Sequence, residues 1–299
     1  HEVIGSVVTA MGGAYPEIGR RQALAEQTLA TEEENFRKTL RRGLDQLGRA
    51  AENFLWHTGA MTTLFFQAWL AVFSPPFRGR QLLDQMVRIG VESLPIALLT
   101  AGFTGAVFVL QTGQELAKWG AKVYSSGISA IGFAREIGPV LTSVVLAGRV
   151  GAGITAEIGT MKVTEQIDAL KSLATDPVSY LVTPRLLAAT IMLPAVTVLA
   201  IFIGLAGGLV VGVLLLNIPL NQYVTTVFTW LEYDHYLTGI AKTIVFGMII
   251  AIVGCHFGFE TGWGAEGVGE ATTGSVVTAS ILILISDFFM SAWILFILP

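Results

Sequence analysis

The sequence predicts an all-α membrane protein: an N-terminal interfacial (elbow) helix, five transmembrane helices, and a short cytoplasmic helix between the second and third of them. Mean hydropathy is +0.66 and only 13% of residues are charged, against roughly 25% in an average soluble domain, so the chain cannot cover itself with polar surface. Five apolar runs are each long enough for the ~30 Å hydrocarbon core. The segment between the second and third runs is too polar and too short to cross. The formal charge of −4 matters less than where the basic residues fall.

Residues 1–50 form an N-terminal extension and residues 51–299 the transmembrane domain. Residues 1–30 carry no pattern to which a role attaches. Thr31-Glu32-Glu33-Glu34 fits a capping box. Behind it Phe36, Leu40, Leu44 and Leu47 recur at helical spacing, while Arg37, Lys38, Arg41, Arg42 and Arg49 fill the other face. This pattern predicts a basic amphipathic helix along a membrane surface, with a solvated soluble helix as the alternative. Residues 54–73, with Trp56 and Trp69, are apolar enough to cross. A crossing there would invert every later loop against the positive-inside rule. An interfacial elbow, stopped by Pro75-Pro76, is expected instead.

The five spans follow at 91–112, 128–158, 184–216, 237–257 and 274–297. The second, ~46 Å long as a helix, exceeds the hydrocarbon core and is expected to project toward the 159–183 loop rather than only tilt or kink at Pro139. The third starts with Thr183 as N-cap and Pro184 at the first helical position. Its Gly204, Gly208 and Gly212, at i, i+4 and i+8, let another helix approach closely, within the chain or across a dimer seam. With the N-terminus in the cytoplasm, most Lys and Arg precede the first span, and Lys162, Lys171 and Arg185 join them on that side. Only Lys118 and Lys122 fall outside, and the C-terminus lies on that outer side.

Several functions are excluded. One cysteine, Cys255, and four histidines offer neither a disulfide framework nor metal-ligand spacing, and no footprint for nucleic acid is visible. The run from Gly262 to Gly267 matches G-x-G-x-x-G, but no strand precedes it, so a flexible loop is expected rather than a dinucleotide site. No lysine stands between glycine and Ser or Thr. The chain therefore lacks a Walker A loop and does not itself hydrolyse ATP by that route, and no cofactor is expected in it.

Charge inside the spans is more informative. Glu136, Lys242 and Asp287 all fall within ~8–15 Å of the outer boundary if each residue rises ~1.5 Å. Ionisable groups at that depth cost roughly 2.5–3.5 kcal/mol each, so they face a bundle interior or polar cavity and find partners. Arg135, beside Glu136, has a side chain long enough to snorkel. Two readings stay open: a buried ion pair that fixes helix register, and a substrate or headgroup site. A stand-alone channel or secondary transporter would use Glu136, Lys242 and Asp287 as an ion or proton relay. No inverted repeat supports that alternative, and it leaves the polar helix without a use.

That helix, 160–173, carries Val163, Ile167 and Leu170 on one face and Lys162, Glu165, Gln166, Asp168 and Lys171 on the rest. Exposed in the cytoplasm, it can dock in a groove on a soluble subunit, or it is a solvated connector.

Arg135-Glu136-Ile137-Gly138-Pro139, Ala147-Gly148-Arg149-Val150-Gly151, the run from Ala156 to Leu170, and Asp176-Pro177 with Pro184-Arg185 resemble the MlaE/YrbE permeases of MCE-type ABC lipid transport systems. The similarity covers roughly residues 50–299, and the Glu157–Leu170 run is the most specific part. The resemblance implies a permease working as a homodimer in the bacterial inner membrane, with its N-terminus cytoplasmic and its C-terminus periplasmic. It implies three kinds of partner: a cytoplasmic ATPase subunit that binds the ATP and magnesium, a periplasmic ring of MCE-domain proteins, and a small STAS-type subunit. Phospholipid, or a similar amphiphile, would be the cargo, and outer-membrane lipid asymmetry the process served. Arg135, Glu136, Lys242 and Asp287 would be substrate-binding. Glu157, Lys162, Thr164, Glu165 and Asp168 would belong to the coupling helix that meets the ATPase.

Overall fold

The computed structural model describes residues 6, 9–10, 22–73 and 79–297, and among these no strand is present. The chain divides into two compact units, His1–Ala60 and Met61–Pro299. Helix α1 (Gln22–Val72) begins well before Thr31. Ala23, Leu24, Ala25, Glu26 and Gln27 are strong helix formers and carry the helix through the expected capping box. Thr31 Oγ1 donates back to the Gln27 carbonyl at 2.9 Å, a mid-helix bond rather than a cap. Glu33–Arg37 and Glu34–Lys38 form i,i+4 pairs at 2.7 and 2.8 Å, and Lys38 holds the Glu34 carboxyl below its usual range. Phe36 and Leu40 are exposed. The side chains of Leu44 and Leu47 lie outside the described residues, as does the Pro75-Pro76 stop. The stretch expected as a separate elbow at 54–73 is the C-terminal part of α1.

In the second unit five helices are long and apolar enough to cross a membrane. The first, Gly79–Ala117, joins α2 (Gly79–Ile89) through a 3-10 turn, Val91–Ser93, to α3 (Leu94–Ala117). The second, Lys122–Val163, is built from α4 (Ser125–Gly132), α5 (Gly138–Leu146) and α6 (Ala152–Val163), joined by π turns at Phe133–Ile137 and Ala147–Gly151. Pro139 explains the first π turn. It has no N–H for the Arg135 carbonyl, and the Gly138 amide bonds the Phe133 carbonyl five residues back instead. At its far end the 160–173 segment is not one helix. α6 stops at Val163, Glu165 turns left-handed with φ 58°, and α7 (Gln166–Ser172) follows.

The third apolar helix, Val178–Leu214, contains a π turn, Val178–Val182, and α8 (Thr183–Leu214). Its start signal lies earlier than Thr183. Asp176 caps it, accepting from the Val178 and Ser179 amides at 3.2 and 3.0 Å, with Pro177 in the first turn. The 217–236 connection holds a short helix, α9 (Leu220–Trp230), that sequence patterning does not reveal. α10 (Tyr233–Glu260) and α11 (Gly264–Ile297) complete the unit. The glycine run expected as a flexible loop is only a turn, because Gly264 already opens α11.

Leu146, Leu186, Phe246 and Ile250 are 0–1% exposed and centre the main core. Residues Leu64 and Ala68 of α1 pack into it. The α3–α8 pair makes the most extensive helix contact, and glycine makes it possible. A Cβ on Gly105 would collide with the Gly204 backbone, while Phe133 and Tyr223 fill the rest of the Gly204–Gly208–Gly212 stripe. The stripe therefore packs within the chain. Tyr223, 2% exposed in α9, lies against Gly208 and Gly212, and burial pushes its hydroxyl up to about 12.

Gly105→Ala should lower stability by about 1–3 kcal/mol, because the obstructing atoms are backbone and cannot rotate away. Gly153→Ala, where nothing lies within 4 Å of the added methyl, should leave the apparent melting temperature of the detergent-solubilised protein unchanged or raised. Equal losses for both variants would refute the close α3–α8 approach.

Candidate functional site

Three spans converge on one ammonium group. Lys242, in the first half of α10, is 1% exposed. Its Nζ donates to Glu136 Oε2 and to Ser291 Oγ, each at 2.6 Å, and lies 3.1 Å from Asp287 Oδ1. Two hydrogen bonds and an ion pair thus converge on it, and the buried Asp287 Oδ1 takes part in the ion pair without a hydrogen bond. Asp287 and Ser291 reach it together because they are four residues apart on α11, one turn above the other. Ser291 Oγ also lies 3.3 Å from both Glu136 oxygens.

The π turn sets the other side of the cluster. Arg135 and Glu136 both sit in Phe133–Ile137, and the Arg135 Nε is a distant 3.9 Å from Glu136 Oε1. The Glu136 side chain is 38% exposed and that of Arg135 22%, so both open outward while Lys242 closes the interior. Two cations and two carboxylates balance. Lys242 is buried among these groups, whereas Arg135 keeps most of its guanidinium edge. Sequence reasoning brought together Arg135, Glu136, Lys242 and Asp287 but missed Ser291. Its position four residues past an intramembrane aspartate was the available signal.

The residues expected to couple to a partner separate into two places. Lys162, Thr164, Glu165 and Asp168 are exposed on the end of α6 and on α7. Thr164 Oγ1 donates to the Thr160 carbonyl at 2.8 Å, Gln166 donates to Thr164 Oγ1 at 3.1 Å, and Asp168 pairs with Lys171 at 3.0 Å. Ile167, 5% exposed, anchors α7 to the bundle. Glu157 lies farther back. Its Oε1 meets Arg88 Nη1 of α2 and its Oε2 meets Arg185 Nη2 of α8, each at 3.0 Å. One carboxylate thereby ties three elements together. The Arg185 side chain is 3% exposed and also donates to the Leu181 carbonyl at 2.7 Å.

A bundle of five membrane-length helices with a charge cluster inside it and a polar helix displayed between its second and third members is a multi-pass membrane transport subunit. The profile of the family described as Permease MlaE matches residues 82–293. The chain is 45% identical over 244 residues to a probable ABC transporter permease protein of Synechocystis, covering 81% of this chain and 92% of the relative. It is 41% identical over 245 residues to a probable ABC transporter permease protein of Rickettsia typhi, covering 82% and 95%. It is 35% identical over 240 residues to the chloroplastic protein trigalactosyldiacylglycerol 1 of Arabidopsis thaliana, covering 80% and 69%. The chain belongs to the MlaE permease family, and is an ABC transporter permease.

The two arms of Glu157 should differ in weight. Arg185→Met removes the buried member of its pair with Glu157 and should cost up to about 3 kcal/mol. Arg88→Ala removes an exposed partner and should cost under ~1 kcal/mol. Apparent melting temperatures of the two purified variants check the contrast, and a larger loss for Arg88→Ala would contradict it.

Proposed function

We propose that the chain is the permease of an ABC transporter that moves phospholipid, or a similar amphiphile, between the bacterial inner membrane and a periplasmic MCE-domain protein. It works as a homodimer. A separate ATPase subunit binds ATP and magnesium and drives it, with a small STAS-type subunit alongside. The N-terminus and α7 lie in the cytoplasm and the C-terminus in the periplasm, the arrangement that leaves most lysines and arginines inside.

One observation carries the lipid reading: a cluster of two basic and two acidic side chains inside the spans, closed on the Lys242 side and open at Arg135 and Glu136. A double-chain amphiphile needs apolar walls together with a few charge-assisted donors for its headgroup. In this reading Lys242 holds Glu136 and Asp287 in place, and Arg135 meets the headgroup phosphate. The Arabidopsis relative is named for trigalactosyldiacylglycerol, a glycerolipid, which supports a glycerolipid as cargo.

Arg135→Gln should lower the lipid co-purified per folded permease by about tenfold, the worth of one charged hydrogen bond, and reduce lipid-stimulated ATPase in the assembled complex. Arg135→Lys should keep much of both. Unchanged lipid in the Gln variant would confine the cluster to a structural role.

Coupling is assigned to Lys162, Thr164, Glu165 and Asp168, with Glu157 securing the base of that segment to α2 and α8. Glu165→Lys or Asp168→Lys should remove the ATPase subunit or uncouple its turnover while the permease stays folded in the membrane. Normal subunit binding and lipid-stimulated turnover in both variants would move the contact elsewhere.

A further inference from the structure

We infer that the cleft between α2 and α6 is a second headgroup site, one that takes a phospholipid whose phosphate stands beside a primary ammonium. Its placement at the inner-leaflet surface rests on the topology proposed above. The binding itself needs neither ATP nor transport.

The second span carries two π turns, and each holds charge. The first presents Glu136; the second, Ala147–Gly151, presents Arg149. Such turns interrupt regular helix at a cost and concentrate at functional sites. Glu136 and Arg149 are separated by about 20 Å along the helix axis at ~1.5 Å per residue. With Glu136 in the outer half of the bilayer, that separation brings Arg149 to the inner edge of the ~30 Å hydrocarbon core, where headgroups lie.

A cleft of about 330 Å³ opens there, with Arg88, Glu92, Arg149 and Glu157 on its walls and Ile89 and Ile154 as its apolar floor. Its volume is in the range of small-ligand sites. Arg149 is loosely held. Nη1 makes one short bond, 2.6 Å to Ser93 Oγ, but its contact with the Arg88 carbonyl and that of Nη2 with Glu92 are both 3.4 Å. The side chains of Arg149 and Glu92 are 36% and 55% exposed, so this long pair can open to a ligand at little cost. Arg88, 58% exposed, stands across the cleft on Glu157, and Glu157 stays fixed by Arg185 from behind.

The charges alternate, and that alternation selects the ligand. A phosphate accepts from Arg149 and Arg88, and an ammonium two carbons away donates to Glu92, replacing the long Arg149–Glu92 contact with two shorter ones. A phosphate without an ammonium brings like charge against Glu92. A trimethylated ammonium has no N–H to donate. Phosphatidylethanolamine meets the site's chemistry, whereas phosphatidylglycerol and phosphatidylcholine do not.

Gly153 lines the same cleft with nothing within 4 Å of a Cβ placed on it, so a reporter fits there. The full-length permease carrying Gly153→Cys, labelled with a benzophenone maleimide, would be reconstituted without nucleotide into phosphatidylcholine vesicles. These would contain a minority of either dioleoyl phosphatidylethanolamine or dioleoyl phosphatidylglycerol. Cys255 is buried and does not compete for the label. After irradiation, lipid adducts are identified by mass spectrometry. The ethanolamine adduct should exceed the glycerol adduct by about tenfold, as one charged hydrogen bond gained and one repulsion avoided would give. Glu92→Gln, a change at a half-exposed side chain that leaves folding intact, should erase this preference by raising the glycerol adduct. Arg149→Gln should lower both adducts. Equal labelling by the two lipids, or a preference that survives Glu92→Gln, overturns the proposal. Failure of the Arg135 experiment would leave these adducts unchanged, so the two readings fail separately.

Discussion

A charge carried into hydrocarbon has to be met there, and Lys242 is the place where this chain meets that requirement. Insertion of a lone ammonium costs roughly 2.5–3.5 kcal/mol. Glu136 and Ser291 accept hydrogen bonds from it, and Asp287 stands beside it as a second counter-charge. That geometry obliges α10 to lie against both the first π turn and the upper part of α11. Register along all three spans is thereby fixed, since a slip of one residue rotates a helical side chain by about 100° away from its partners. The same cluster leaves its exposed edge, Arg135 and Glu136, as the polar feature facing outward.

Elsewhere the bundle is held by contact rather than charge. Water provides no apolar driving force between helices already in lipid, so close backbone approach and interdigitation must supply it. Gly105 against Gly204 gives that approach between α3 and α8. Phe133, 2% exposed, drops its ring onto the same glycine from the π turn that carries Arg135 and Glu136. Packing and polar site thus share five residues of one turn, and disturbing either displaces the other.

Much of this was legible in the sequence. Five spans, the intramembrane charges and the exposed polar segment each follow from composition and position, because hydrocarbon penalises polar groups so strongly that few placements satisfy it. Short-range features were less legible. The cap on the third span is Asp176 rather than Thr183, since both open an X-Pro pair and only the aspartate has two free amides in front of it. The start of α1 was masked by a capping box that good helix formers upstream overrode. α9 was missed because its burial depends on Tyr223 finding Gly208 and Gly212, a contact set by tertiary structure. Ser291 carries no charge, and only its place four residues past Asp287 marks it in the sequence. Arg185 looked like an orientation signal, and only folding reveals that it shares the Glu157 carboxylate with Arg88.

The partners of Lys242 also lie on both sides of it in chain order, and this bears on biogenesis. Glu136 enters the membrane with the second span, so the lysine of the fourth finds a carboxylate already waiting when it leaves the translocation machinery. Asp287 and Ser291 emerge last. Until they arrive, the Glu136–Lys242 pair is half-built, with two ammonium protons not yet met, and the fifth span carries its own aspartate to a preformed counter-charge. Electrostatics of this kind would guide the final helix to its seat and give quality-control proteases a marker, an unfilled lysine, by which a chain truncated before residue 287 differs from a finished one.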